Sequence, residues 1–235
     1  MRLRALLAVF VLLAAITPLR AQQTASAFAD LTGQVILPAS ASRSHPPTVV
    51  VWLSPLDKST VPSPPPGRFK LVQKNRMFTP RLLVIPVGSI VAFPNEDPFF
   101  HNVFSLFNGK RFDLGLYEAG SSREVQFSRE GISYIFCNIH PAMSAVVIAL
   151  STPLFSVADA NQKIAIHSIP PGKYELNVWI EGAQQPALES LTRRFTFTAA
   201  QLAAVSIDAS SLNRPAHEHL NKFGKPYAQD ARPPY

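Results

Sequence analysis

Cys137-Asn138-Ile139-His140-Pro141-Ala142-Met143 places a thiol, an imidazole and a thioether at C-x-x-H-x-x-M spacing on one short stretch. Ile132 to Phe136 precedes it and Ala145 to Leu150 follows it, both short runs of β-branched and aromatic residues that read as strands. The chemistry therefore sits on a loop between two strands. Working outward, Val49 to Leu53, Leu82 to Val87 and Ile90 to Phe93 have the same character. Turn residues separate them: Val87-Gly88-Ser89, Pro94-Asn95-Glu96-Asp97-Pro98, Asn108-Gly109, Arg129-Glu130-Gly131 and Pro170-Pro171-Gly172. Helical candidates are few, and short strands with regular punctuation predict an all-β fold built from β-sandwiches.

The 235 residues allow one large domain or two small ones. With 47% apolar and 16% charged residues the chain has the composition of a folded protein. A single Cys excludes an intrachain disulfide and any site that needs several thiolates. Arg2 and Arg4 followed by the apolar run Ala5 to Ile16 predict a signal peptide over residues 1–21, hence export to a periplasm and no membrane span after cleavage. The remaining chain carries 19 basic and 15 acidic residues, net +4, too weak a bias to predict nucleic acid as a partner. Val61-Pro62-Ser63-Pro64-Pro65-Pro66-Gly67 is a stiff, donor-poor connector that marks one boundary, and Ser151-Thr152-Pro153 marks a second. Residues 210–235, polar and broken by prolines, read as an extended C-terminal tail.

His101 is the distant fourth corner for Cys137, His140 and Met143. Two imidazoles, a thiolate and a weak axial thioether form the donor set of a copper electron-transfer site. Thiolate and thioether favour Cu(I), and imidazoles tolerate Cu(II), so one arrangement serves both states. Zinc competes for Cys and His, although structural zinc sites do not use Met. Phe99 and Phe100, just before His101, read either as strand-end core or as an apolar docking surface near the metal. His167 lies on an alternating strand, His45 in a Ser/Pro loop, and His217-Glu218-His219 in the tail, where weak binding of a second metal competes with a solvated role.

These residues resemble the cupredoxins, amicyanin/plastocyanin-like proteins of the kind often labelled methylamine utilization proteins; amicyanins share the C-x-x-H-P-x-M spacing. Phe78-x-Pro80, Pro86-x-Gly88-x-x-Val91-x-Phe93-x-Asn95, His101-Asn102-Val103 and Gly131-x-x-x-Tyr134-x-x-Cys137 extend the resemblance over residues 68–150. It implies a Greek-key β-sandwich with one type 1 copper ion held by His101, Cys137, His140 and Met143. It also implies that Asn102 ties the two ligand-bearing loops together by hydrogen bonds towards Cys137 and its neighbour Asn138, which stands where amicyanin has Thr. The chain is far longer than amicyanin, and a role in methylamine oxidation is not inherited.

The flanks resemble the transthyretin-like, carboxypeptidase regulatory-like sandwich. The matching stretches are Leu31 to Val35, Val49 to Leu53, Phe155 to Ile164, Ile169 to Trp179, Arg194 to Phe197 and Ala204 to Ile207, with Gln162 in place of the turn Gly. Neither flank alone closes a core, so residues 30–58 and 151–209 are expected to form one split sandwich with the copper domain inserted in it. The expected function is a periplasmic electron carrier, not an enzyme, with a redox partner docking near His140. The same ligands would serve a copper storage or delivery protein, and the second sandwich could instead be a partner-binding module carrying a copper domain. A copper oxidase or nitrite reductase needs further copper with its own ligands, and only His45, His167, His217 and His219 remain.

Overall fold

The structure, a computed structural model, describes residues 27–39, 46–57, 61–106, 109–212 and 220–227. The expected signal peptide, His45, Asn108 and His217-Glu218-His219 lie outside the described residues. Among those described, no helix is long and apolar enough to cross a membrane.

The fold is all-β, as expected, with one short helix. In chain order the strands are β1 (Ala29–Ile36), β2 (Val49–Pro55), β3 (Arg68–Lys70), β4 (Val72–Lys74), β5 (Met77–Thr79), β6 (Leu82–Pro86), β7 (Ile90–Pro94), β8 (His101–Ser105) and β9 (Phe112–Tyr117). They continue with β10 (Ser122–Gln126), β11 (Gly131–Phe136), β12 (Ser144–Leu150), β13 (Phe155–Val157), β14 (Lys163–Ile169) and β15 (Gly172–Ile180). Helix α1 (Gln185–Glu189), β16 (Arg193–Phe197) and β17 (Leu202–Asp208) complete the described elements.

Four sheets and a hairpin organise these strands. A sheet in the order β14-β1-β17 faces one in the order β13-β2-β15-β16, and a sheet in the order β6-β12-β11-β8-β9 faces one in the order β10-β7-β3. The first two strands pair only with strands after Leu154: β1 runs antiparallel to β14 and parallel to β17, and β2 runs antiparallel to β13 and β15. Everything from β3 to β12 lies between β2 and β13 in the chain and pairs within itself.

Strand alternation explains how the two halves meet. On β12, Ala145, Val147 and Ala149 belong to one buried cluster with Leu71, Phe93, Val103, Cys137 and Met143, while Ile148 and Leu150 belong to another with Leu31, Val51, Leu176 and Trp179. Successive side chains on a strand point to opposite faces, so β12 is buried on both. The indole Nε1 of Trp179 donates to the hydroxyl of Tyr134 on β11 at 3.1 Å, pinning the two halves with a hydrogen bond across this seam.

Two backbone positions show the local constraints. Gln162 has φ of +60° and closes the turn with its N–H donating to the carbonyl of Asp159 at 2.9 Å, so it occupies the left-handed conformation that Gly holds more cheaply. Gly33 is extended, but a Cβ there would stand 2.7 Å from both the Cγ1 and the carbonyl oxygen of Val205, its partner on β17. Gly33→Ala is therefore expected to lower unfolding free energy by about 1–3 kcal/mol, as overpacking does, measured by urea denaturation. An unchanged midpoint would mean that β1 does not lie this close to β17.

Candidate metal centre

The site is built at one end of the core between the β6-β12-β11-β8-β9 and β10-β7-β3 sheets. His101 opens β8, Cys137 follows directly on β11, and His140 and Met143 lie on the loop that returns the chain to β12. That loop is closed by its own backbone: Met143 N–H donates to the His140 carbonyl at 3.0 Å and Cys137 N–H to the Met143 carbonyl at 3.2 Å. His101, Cys137 and Met143 have no solvent-exposed surface, and His140 is half-buried.

Three of the four expected ligands offer donor atoms to one point. The Nδ1 atoms of His101 and His140 stand 3.6 Å and 3.5 Å from Cys137 Sγ, and all three donor atoms lie within 4.8 Å of one another. Two donors bound to a common ion at about 2.0–2.3 Å stand roughly 3.5–3.8 Å apart. The separations fit a metal held among the three. Met143 is buried in the same apolar cluster as Cys137, on the loop that carries His140. His167, in contrast, sits away from the site on β14 and pairs with Asp30 at 3.3 Å.

His101 is oriented by a partner that sequence analysis did not single out. Its Nε2–H donates to Asp97 Oδ2 at 2.8 Å, which leaves the Nδ1 lone pair aimed at the sulfur and fixes the tautomer a metal requires. Asp97 is itself held by the N–H groups of Asn75 (2.6 Å) and Arg76 (2.9 Å). Both residues have positive φ, 55° and 57°, as the two-residue turn between β4 and β5 demands. A hairpin tip thus orients a metal-facing imidazole. The signal was present in the sequence: Asp97 is four residues before His101, in a turn already marked by Pro94 and Pro98.

Phe99 answers the either-or expectation for the Phe pair. Its ring packs 5.2 Å from the imidazole of His101 and 5.7 Å from that of His140, with the Arg76 guanidinium over it at 5.3 Å, while Phe100 is exposed. Asn102 departs from expectation. Its backbone N–H approaches the Cys137 sulfur, but its side-chain Nδ2 donates to Asp113 Oδ1 at 2.7 Å rather than reaching Asn138. The Asn138 side chain instead accepts from the N–H of Lys222 at 3.0 Å. With a carboxamide at position 138 and a carboxylate at 113, the stronger charge-assisted bond takes the Asn102 donor. The segment expected to be an extended tail is thus, over residues 220–227, placed against the ligand loop.

No family model matches the chain, and no curated protein matches it. Solved structures similar to part of it include a purple cupredoxin from Nitrosopumilus maritimus, 28% identical over 36% of this chain and 99% of that one, with a TM-score of 0.32. Amicyanin from Paracoccus versutus is 18% identical over 42% of this chain and 97% of that one, with a TM-score of 0.34. A copper-containing nitrite reductase from Thermus scotoductus is 24% identical over 41% of this chain, with a TM-score of 0.34, and the similarity spans a quarter of that enzyme's chain.

Electrostatics prepares the donors unequally. Burial pushes the Cys137 thiol above its ordinary value, against the backbone N–H groups of Asn102, Ile139 and His140, which stabilise a thiolate. Burial also lowers both imidazoles, helped at His140 by the His101 and Arg76 charges, so that His140 falls to about 4 and His101 below its usual range despite Asp97. In the metal-free protein at neutral pH the thiol is protonated and both imidazoles are neutral. Binding of one ion at neutral pH is therefore expected to release about one proton, and affinity should fall about tenfold for each unit of pH lost between 8 and 7. Ordinary imidazoles would raise the release to roughly 2.5 protons at pH 6. Isothermal titration in buffers of different ionisation enthalpy measures that number, and a value above two would contradict the depressed imidazoles.

Proposed function

We propose that this chain is an exported cupredoxin, amicyanin/plastocyanin-like in its ligand loop, that holds one type 1 copper ion and carries single electrons in the periplasm. The observation that carries the proposal is the convergence of Cys137 Sγ and the Nδ1 atoms of His101 and His140 within 4.8 Å at the end of a β-sandwich core. Copper held there by His101, Cys137, His140 and Met143 would supply a one-electron couple, since two imidazoles, a thiolate and a thioether suit both of its oxidation states. The structural zinc alternative has no use for the buried Met143 on this loop.

The chain's own residues have distinct parts in this reading. Asp97 holds His101 in the ligand tautomer, and the Cys137-to-Met143 and Met143-to-His140 backbone bonds set the ligand loop. Met143, buried on the same loop, would supply the thioether of the donor set. His140, with Nδ1 turned inward to the sulfur and its ring half-exposed, is the path for the electron to the surface. Its neighbours in the chain Ile139, Pro141 and Ala142 are exposed and uncharged. A small apolar rim suits the brief docking of electron-transfer encounters, whose interfaces lie below about 1,200 Å². Residues 68–150 are on this reading the copper unit, inserted into a split carboxypeptidase regulatory-like unit of residues 30–58 and 151–209. The chain is a carrier rather than an enzyme.

Loading the mature protein with Cu(II) is expected to give one ion per chain and an intense visible absorption, because the thiolate donates charge into the half-filled metal orbital. Cys137→Ser should remove the colour even where some metal stays bound. A colourless Cu(II) form of the intact protein would overturn the assignment.

Electron exit is tested separately. Ala142→Glu is expected to leave the copper spectrum nearly unchanged and to slow electron self-exchange about tenfold or more, since a charge in the rim must be desolvated on docking. A variant that keeps its spectrum and exchanges as fast as the parent would move the exit elsewhere and favour copper delivery over electron carriage.

A further inference from the structure

We infer that the C-terminal segment is a working part of the metal centre: Lys222 and Tyr227 are positioning residues that clamp the Cys137–Met143 loop. The inference rests on the copper reading for what the loop holds, and on geometry alone for the clamp. The Tyr227 hydroxyl donates to the Cys137 carbonyl at 2.8 Å, and the Lys222 N–H donates to Asn138 Oδ1 at 3.0 Å. The Lys222 ammonium reaches Asp113 Oδ2 at 2.9 Å, and the other oxygen of that carboxylate accepts from Asn102 Nδ2 at 2.7 Å. A continuous chain of hydrogen bonds thus runs from Asn102, next to His101, through Asp113 and Lys222 to Asn138, next to Cys137. In place of a direct bond between residues 102 and 138 there is a relay through Asp113 and Lys222, the latter 84 positions beyond Asn138.

The segment is built to present these donors. Asn221 organises it as a compact turn: its side-chain oxygen accepts from the N–H groups of Phe223 (3.0 Å) and Lys225 (3.1 Å), and its own N–H donates to the Lys225 carbonyl at 2.8 Å. Gly224, with φ of +72°, lets the chain reverse there. Phe223 is 72% exposed, with the Lys222 ammonium over its ring at 5.3 Å, so the segment is not held by burying that ring. Polar bonds to the ligand loop are what its geometry offers instead.

The consequence falls on the peptide after the ligand. The Cys137 carbonyl belongs to the Cys137–Asn138 peptide plane, and the next N–H groups, of Ile139 and His140, are among those that face the sulfur. Rotation of that plane would turn these donors away from the sulfur and move His140 relative to Cys137. A donor held on the carbonyl opposes the rotation. Tyr227 therefore acts on the metal through the loop, without touching it.

The test uses the full-length chain with Tyr227→Phe, which keeps the ring and removes the donor, Lys222→Met, and Lys225→Gln as a control at an exposed position of the same turn. In the metal-free protein the Cys137 thiol of Tyr227→Phe is expected to react with a small thiol reagent about five- to tenfold faster than the parent, the factor that one hydrogen bond of about 1 kcal/mol represents. Loss of Cu(I) to a competing chelator should accelerate by a similar factor, and the absorption maximum of the Cu(II) form should shift. Lys222→Met should change each readout in the same direction, and Lys225→Gln should match the parent throughout. Parent-like thiol reactivity and copper loss in Tyr227→Phe would overturn the clamp, as would equal changes in Lys225→Gln. Parent-like behaviour of Lys222→Met alone would remove Lys222 from it. If the parent itself took up no copper, the copper reading would fail, and thiol reactivity in the metal-free chain would still decide the clamp.

Discussion

The structure depends on keeping one buried sulfur in register with two imidazoles that arrive from different parts of the chain. Cys137 has no exposed surface, and an unpartnered thiolate at such depth would be strongly disfavoured. The fold meets that constraint by ending β11 at Phe136, so that the backbone N–H groups released from the ladder turn towards the sulfur while β12 resumes pairing at Ser144. The intervening loop has room for one His and one Met and little else. Its internal bonds, from Met143 to His140 and from Cys137 to Met143, make it a compact turn whose shape is set before any ion arrives.

Orientation of the donors comes from three separate outside supports. Asp97, anchored by the β4–β5 hairpin tip, acts on His101; Phe99 packs on both imidazoles; residues 220–227 act on the loop that carries Cys137 and His140. A buried charged or polar partner for a metal-facing imidazole raises its basicity and fixes its direction. In the metal-free state Asp97 opposes only part of the desolvation that drives His101 towards the neutral form. Both effects favour binding: the ring points correctly, and few protons compete with the ion.

The legible part of this architecture was local. Val/Ile-rich runs with Gly and Pro between them located the strands around the loop, because a half-buried pleated surface selects those residues wherever it forms. Cys137 and His140 were legible because a thiol, an imidazole and a thioether at short loop spacing have few other uses, and His101, thirty-six residues before Cys137, because such a set calls for one more donor. What was not legible depends on contacts that no short window contains. Tyr134 sits in a stretch that reads as the strand entering the ligand loop, yet its hydroxyl serves Trp179 across the seam between the two halves. Asp113, Lys222 and Tyr227 carry no motif; a polar side chain in a loop or tail has no periodicity to reveal its partner. The Asn102 expectation held at Cys137, through the backbone N–H, and failed at Asn138 for the same reason, since a carboxylate eleven residues away competes for its side-chain donor.

The position of β12 joins the two halves to the site. One face of the strand contributes Val147 and Ala149 to the cluster that contains Cys137 and Met143, and the other contributes Ile148 and Leu150 to the cluster that contains Trp179. Each buried aliphatic side chain stabilises by roughly 1.5–3 kcal/mol, so the second sandwich adds to the stability of the strand that ends the ligand loop. Residues 68–150 alone would expose this second face to water, and its apolar residues would be a liability there. The flanking strands therefore do more than extend the chain: they make rigid the β12 strand from whose first residue, Ser144, the loop departs towards Met143 and His140. The ligand loop is held from below by a strand buried on both faces and from its side by residues 220–227, and both supports come from parts of the chain outside residues 68–150 or from their packing against it.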